Sequence, residues 1–376
     1  MKKIKTFMLA FVAMAMTAPM FTACGDDDTK VETVEKVIEN LVSEYSANDK
    51  LVADQKAQSG KDEAVLLVAF GSTWNNAFLA FDKTIEAYET AFPKADVYFC
   101  FSSDICINRA AIGENVDDNG NIVKRTYYEP RYLLHAIGAA KYSTIRVQSL
   151  QVIPGEEFAA VMAAVKKFMN NGYIASAHLD DDYLKNVKLY FGMPLLTDAE
   201  NDVPKVAQAL HTLYGSENGV VAFMGHGNPD DYDTFKANDR YELLQKELQK
   251  LSPNKYFVGT VDAPGHYKQN VLADIKDAGI TSGTVNLHAL MSIAGDHAHN
   301  DMAGEGDEYW DGEDPESEDN SWYEYFRHNG FTPNVPLSGK HPQGLLELKS
   351  VRDIWIQHTK DAELFEDAYH SMYPEE

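Results

Sequence analysis

Along this 376-residue chain the apolar positions follow two rhythms. Short, nearly unbroken apolar runs, each closed by glycine, proline or a polar cluster, fit strands buried on both faces. They predict strands over 64–73, 96–101, 144–153, 187–191, 220–224, 256–261 and 285–293. Between them lie longer stretches in which apolar residues recur every three or four positions, the spacing of an amphipathic helix. These predict helices over 78–92, 127–140, 158–169, 203–214, 241–251, 271–278, 322–328 and 344–360. Pro93 ends the first, and Asn170-Asn171-Gly172 ends the third. Strands that alternate with helices argue a parallel sheet with helices on both faces.

The pattern also restarts. Val65 to Ser72, V-L-L-V-A-F-G-S, overlays Gly219 to His226, G-V-V-A-F-M-G-H, at an offset of 154. Val147 to Glu157 overlays Leu287 to His297 at an offset of 140, so that Leu150, Ile153 and Gly155 meet Leu290, Ile293 and Gly295. An internal repeat of this kind predicts an α/β fold of two similar Rossmann-like halves, with parallel sheets flanked by helices and a cleft between. The expected organisation is a leader over 1–23, a tether with a surface helix (31–45) over 24–62, and an N-terminal half over 63–200. A C-terminal half follows over 201–340, then a closing helix and tail over 341–376. In the overlay His226 meets Ser72 and His297 meets Glu157, so the second half carries both of these imidazoles and the first half neither.

Charge and composition narrow the partners. Hydrophobic content of 44% and aromatic content of 11% fit a well-cored globular chain, and a formal charge of -25 disfavours nucleic acid and anionic membrane surfaces. Lys2, Lys3 and Lys5 precede an apolar run, Phe7 to Ala23, with the character of a signal peptide. Phe21-Thr22-Ala23-Cys24 resembles a lipobox, with Phe where Leu is usual, and Asp26, Asp27 and Asp28 resemble the export signal of surface lipoproteins. This predicts lipidation at Cys24, membrane association through that anchor only, and residence in the cell envelope, either periplasmic or on the outer-membrane surface. Cys100 and Cys106 would close a six-residue loop if oxidised, or remain thiols with Cys100 buried in a strand. A homo-oligomer is compatible with the sequence and not specified by it.

The chemistry concentrates in residues 285–301, V-N-L-H-A-L-M-S-I-A-G-D-H-A-H-N-D. Its first half reads as a buried strand that breaks at Gly295, and Asp296, His297, His299 and Asp301 follow within six residues. A similar strand end carries His226 between Gly225 and Gly227, and Asp262 ends the strand between these two in sequence. Neutral imidazole with carboxylate suits cobalt, iron, nickel or zinc, and three protein ligands with open positions make a reactive arrangement. A histidine near its ordinary pKa also accepts protons at neutral pH. No P-loop, dinucleotide fingerprint or G-x-S-x-G is present.

Met224 to Gly227 (M-G-H-G), Val261-Asp262, Ala294 to Ala303 (A-G-D-H-A-H-N-D-M-A) and V-A-F-G-S-T near the start of the body resemble the class II chelatases. V-Q-S-L-Q-V-I-P-G-E-E-F extends the likeness, which covers roughly residues 63–360 and is closest to the anaerobic sirohydrochlorin cobaltochelatases of the CbiK type. The resemblance implies two α/β lobes with a tetrapyrrole in the cleft, and insertion of Co2+ into the metal-free ring without ATP. It implies His226 as metal ligand and proton acceptor and His297 as metal ligand. Asp262 stands at the position of the family's glutamate ligand, with His266 as the substitute. Gly71, Ser72, Thr73 and Glu157 would line the opposite wall.

Two features stand apart from a biosynthetic enzyme: the outward address, and the acidic stretch 303–321, where nine of the fifteen residues from Glu305 to Asp319 are acidic. The stretch reads as a solvated loop or as a collector of cations such as calcium. Arg109, Lys124, Arg125, Arg131, Lys141 and Arg146 would answer the carboxylates of such a ring, or are scattered surface charge. A second reading keeps the site and changes its use: an exported lipoprotein that holds haem or another tetrapyrrole, with the imidazoles as axial ligands to iron or cobalt.

Overall fold

The computed structural model describes residues 34–171, 178–304 and 320–374. α1 (Val34–Ser59) leads into β1 (Glu63–Ala69), α2 (Asn75–Ala91) and β2 (Ala95–Phe101). α3 (Asp104–Ile112) and α4 (Pro130–Ala139) precede β3 (Thr144–Ser149), and α5 (Glu156–Met169) and α6 (Asp181–Asn186) precede β4 (Lys188–Gly192). The second series is α7 (Asp202–Tyr214), β5 (Val220–Gly225), α8 (Asp239–Leu251), β6 (Tyr256–Thr260), α9 (Lys268–Asp277) and β7 (Gly283–Ala289), then α10 (Trp322–His328) and β8 (Phe331–Asn334). α11 (Lys349–Asp361), β9 (Glu363–Leu364) and α12 (Phe365–Met372) close the chain.

The strands form two sheets, of order β2-β1-β3-β4-β9 and β6-β5-β7-β8. All pairings are parallel except β4 with β9. The first four strands of one sheet thus correspond one for one to those of the other, the arrangement expected of an internal repeat. β1 and β5 are central in their sheets, which explains their unbroken apolar runs: Ala64 to Val68 are fully buried, as are Val221 to Met224. One apolar cluster spans the halves, joining Val65 and Leu67 to Val221 and Phe223 through Val351, Trp355 and Ile356 of α11.

The strand segments expected to run to residues 153 and 293 stop at Ser149 and Ala289. Their central neighbours end at Ala69 and Gly225, and beyond those points the ladder has no partner; Leu150 N and Leu290 N make the last bonds, to Val68 O and Met224 O. The two freed segments then meet each other, where Ser292 Oγ donates to Leu150 O. The closing helix begins later than residue 344, after a single tight turn at Leu345–Glu347.

The N-terminal helix extends well past residue 45, to Ser59, and is fastened to the body rather than trailing from it. Ser59 Oγ donates to Asp96 Oδ2 at 2.7 Å, Lys56 Nζ donates to the Ala140 and Lys141 carbonyls, and Asp49 meets His135 Nδ1 at 2.9 Å. Cys100 and Cys106 are both free thiols. Strand alternation places Cys100 in the cluster on one face of the sheet, while Cys106 packs with the cluster on the other. Burial pushes the Cys106 thiol up to about 11. The leader, Cys24 and the acidic residues 305–319 lie outside the described residues. Among the described residues no helix is long and apolar enough to cross a membrane.

α10 begins where Ser321, fully buried, accepts the Glu324 backbone N–H at 3.1 Å, and the helix buries Trp322, Tyr325 and Phe326. Ser321→Ala is expected to remove that N-cap and cost about 1 kcal/mol, read as a lower denaturant midpoint at unchanged m-value.

Candidate functional site

In the second sheet the order β6-β5-β7 brings three carboxyl ends side by side. The loop after β6 carries Asp262, the loop after β5 carries His226, and the loop after β7 carries His297. His226 is therefore the middle residue. Its Nδ1 lies 3.6 Å from Asp262 Oδ2, and its ring centroid lies 4.8 Å from that of His297, with the planes near perpendicular at 83°. Val261 and Asp262 donate their backbone N–H groups to the His226 carbonyl, tying the two loops together. Gly227 sits at φ +85 with Ala263 N only 2.7 Å from where a Cβ would stand, so the G-H-G turn needs glycine there.

Each imidazole is tied by the same nitrogen. His226 Nδ1 lies 2.8 Å from the Gly227 carbonyl, and His297 Nδ1 lies 2.5 Å from Asp301 Oδ2. A carbonyl or carboxylate can only accept, so in the neutral form of both rings Nδ1 carries the hydrogen and Nε2 keeps the lone pair. Both side chains remain about half open to solvent, 51% and 40%. Burial and the neighbouring His297 hold the His226 pKa below its ordinary value, against Asp262 and the Gly227 carbonyl. For His297 burial opposes the cation, but the Asp301 hydrogen bond and the charges of Asp301, Asp262 and Asp296 outweigh it and raise the pKa. The pair is thus electrically unequal.

The expected three-ligand set is drawn up only in part. Among the described residues no three His, Cys, Asp or Glu side chains are gathered as a ready metal cluster. Asp262 approaches the Nδ1 edge of His226, behind the lone-pair nitrogen, so it supplies charge close to the pair without completing a cage. His266, the substitute, turns elsewhere: its Nε2 lies 3.9 Å from Glu242 of α8.

The run Asp296, His297, His299, Asp301 also divides. His297 and Asp301 pair with each other, whereas Asp296 and His299 engage Trp74 of the first half. The Trp74 indole stacks on His299 at 3.6 Å with an interplanar angle of 3°, and its Nε1 donates to Asp296 Oδ1. Asn76 Nδ2 adds a bond to the Ala294 carbonyl at 3.0 Å. Trp74 carried no signal of its own in the sequence; an aromatic residue at a helix start is usually core.

Gly71, Ser72 and Thr73 are buried, and their first task is to close this seam. Gly71 has φ +129, and a Cβ there would stand 2.6 Å from Cys106 Cβ. Ser72 Oγ accepts from Trp74 N at 3.2 Å, and Thr73 Oγ1 accepts from Asn115 Nδ2 at 2.8 Å. The residue beside them that does face solvent is Phe70, 47% exposed at the end of β1. Glu157 lies in the first turn of α5, where Ser102 Oγ donates to it at 3.3 Å, and burial lifts its carboxyl to about 7. That turn abuts the His226 loop: Asn228 Oδ1 accepts the Glu156 N–H at 3.3 Å, and a Cβ on Gly155 would strike the Asn228 amide. Of the basic residues, Arg109, Arg125, Arg131 and Arg146 are each paired with a carboxylate, Glu114, Asp82, Glu129 and Glu63 respectively.

Comparison with known proteins gives this arrangement a place. Residues 63–363 match the family model described as cobalt chelatase (CbiK). The chain is 27% identical over 300 residues to the protein named sirohydrochlorin cobaltochelatase CbiKC of Nitratidesulfovibrio vulgaris, covering 79% of this chain and 89% of that one. It is 27% identical over 256 residues to the protein named sirohydrochlorin cobaltochelatase of Salmonella typhimurium, covering 66% and 83%. Among solved structures, SirB from Bacillus subtilis with Fe3+ aligns at 14% identity with a TM-score of 0.48, over 80% of this chain and 95% of that one. With the match spanning both sheets and both histidine loops, the chain belongs to the CbiK cobalt chelatase family, and its activity is that of a metal chelatase.

Proposed function

We propose that this chelatase inserts Co2+ into sirohydrochlorin, without ATP, as a step toward cobalamin. The observation that carries the reading is the imidazole pair on adjacent strand ends, both tied back through Nδ1 with Nε2 left as the lone-pair nitrogen. Two such nitrogens bind a first-row dication and leave most of its coordination sphere open, which is what a donor that must surrender its metal to four pyrrole nitrogens requires. Asp262 and Asp301 supply the opposing charge.

Two protons must leave the ring as the metal enters. His226, whose pKa is held below its ordinary value, is the first candidate to accept a proton, once its Nε2 is relieved of the metal. Glu157, poised at about 7, is the second candidate acceptor. Gly71, Ser72 and Thr73 shape the wall of the first half beneath Phe70, and the ring lies between that wall and the imidazoles. Holding metal and macrocycle in register supplies the rate, so no phosphoryl chemistry is needed.

Residues 2–24 favour placement in the cell envelope through a lipid on Cys24, and with it a second reading: capture of haem or an intact metallated tetrapyrrole on the same histidines, for iron or corrinoid-precursor acquisition. One experiment separates the two. Purified protein is mixed with Co2+ and sirohydrochlorin and the visible spectrum followed in time. Conversion to the cobalt form well above the spontaneous rate is expected. Tight binding of the metallated ring with no acceleration would replace insertion by capture.

A further inference from the structure

The two imidazoles are held in register by partners of different kinds. His226 is tied by the Gly227 carbonyl, a backbone group that no side-chain change removes. His297 is tied by a side chain, Asp301, four residues on. Asp301 lies within Ala298–Met302, a π-turn that follows directly on His297 and is wider than an α-helical turn. Ala298 and Met302 are both fully buried in the apolar cluster of the second half, which pins the turn. The pinned turn brings the Asp301 carboxylate to 2.5 Å from His297 Nδ1, close enough for a strong charge-assisted hydrogen bond.

The geometry points to Asp301 as the positioning residue of the metal site: it fixes the His297 hydrogen on Nδ1 and holds the ring so that Nε2 is presented to Co2+. This rests on the reading of His226 and His297 as the pair that holds the substrate metal. Without Asp301 the imidazole would sample both tautomers and rotate about χ2, and part of the population would offer an N–H where a lone pair is needed. Asp301 touches neither metal nor macrocycle in this assignment. A merely structural role, an i,i+4 contact bracing the turn, would leave metal affinity unchanged in a folded variant.

The test uses Co2+ alone, titrated into the full protein, by calorimetry and by the visible d–d absorption of bound cobalt. Asp301→Ala is expected to weaken Co2+ binding by roughly ten- to a hundredfold and to alter the cobalt spectrum. Asp301→Glu keeps a carboxylate that can only accept from Nδ1, and is expected to bind Co2+ more tightly than Asp301→Ala. In turnover with sirohydrochlorin, the KM for Co2+ should rise in Asp301→Ala while the KM for the macrocycle stays put. Wild-type affinity and spectrum in a folded Asp301→Ala would overturn the assignment. If wild-type protein binds Co2+ through these histidines but accelerates no insertion, the enzymatic reading fails and the role of Asp301 at the metal stands.

Discussion

Replacing His226 or His297 by alanine is expected to lower the rate of Co2+ insertion by at least ~10²-fold, with the fold intact. Each side chain is about half exposed at a strand end, so its removal opens no core cavity, and stability should move by less than about 1 kcal/mol. The two losses should differ in kind. His297, bound to Asp301, is the better-anchored ligand, and His297→Ala should appear mainly as a raised KM for Co2+. His226 stands between Asp262 and His297 and keeps its pKa low, so His226→Ala should remove metal affinity and proton acceptance together and depress kcat as well. The double variant should be little worse than His226→Ala, because two ligands to one ion act as a unit. Stopped-flow absorbance at varied Co2+ and varied macrocycle separates these parameters. Single variants that retain wild-type kcat and KM would remove the imidazole pair from the mechanism.

How much of this was legible in the sequence depends on whether a feature is local. The central strands announced themselves because burial on both faces demands unbroken apolar runs, as in Val65 to Val68 and Val221 to Met224. β8 gave no such signal: four residues, alternating in burial and holding Pro333, make an edge strand whose pairing only the neighbouring β7 reveals. β9 escapes the sequence for a related reason. A two-residue strand is defined by its antiparallel partner on β4, not by its own composition.

The site divides along the same line. His226, Asp262 and His297 stood out because each follows a readable strand, and parallel sheets deliver such residues to one edge. What strand ends do not report is which way a side chain turns. His266 lies four residues from Asp262 yet faces Glu242, and of the dense run 296–301 one pair faces the site while Asp296 and His299 grip Trp74 across the seam. Ser72 and Thr73 sit where the repeat places a counterpart to His226, and the structure spends their hydroxyls on Trp74 N and Asn115. The grip on Trp74 is made between halves more than 200 residues apart in sequence, whereas the turns of His266, Ser72 and Thr73 are set by neighbours within their own half.

Glu157 supplies the second large effect, one on stability with pH. It occupies the first turn of α5, where the helix dipole favours a negative charge by about 0.3–1 kcal/mol. Burial acts the other way and wins, lifting the carboxyl from its ordinary 4.5 to about 7. A carboxyl whose folded pKa is raised is protonated more readily in the folded chain than in the unfolded one. Its contribution to stability is therefore fully present below pH 4.5 and fades as pH rises through about 7, a total of roughly 3 kcal/mol at 1.36 kcal/mol per unit. Glu157→Gln, neutral throughout, should match wild type near pH 4.5 and exceed it by up to ~3 kcal/mol at pH 8. Glu129 is also lifted to about 7 by burial, but it is common to both proteins and cancels in the difference. Denaturant unfolding of the two proteins from pH 4.5 to 8 reads this directly, and parallel curves would show that Glu157 ionises without cost. In the proposed mechanism Glu157 is a proton acceptor, placed in the turn that abuts the His226 loop. The same variant should then insert Co2+ more slowly while unfolding later. Slower insertion together with higher stability would mark Glu157 as part of the proton path; unchanged insertion would make its raised pKa a by-product of packing.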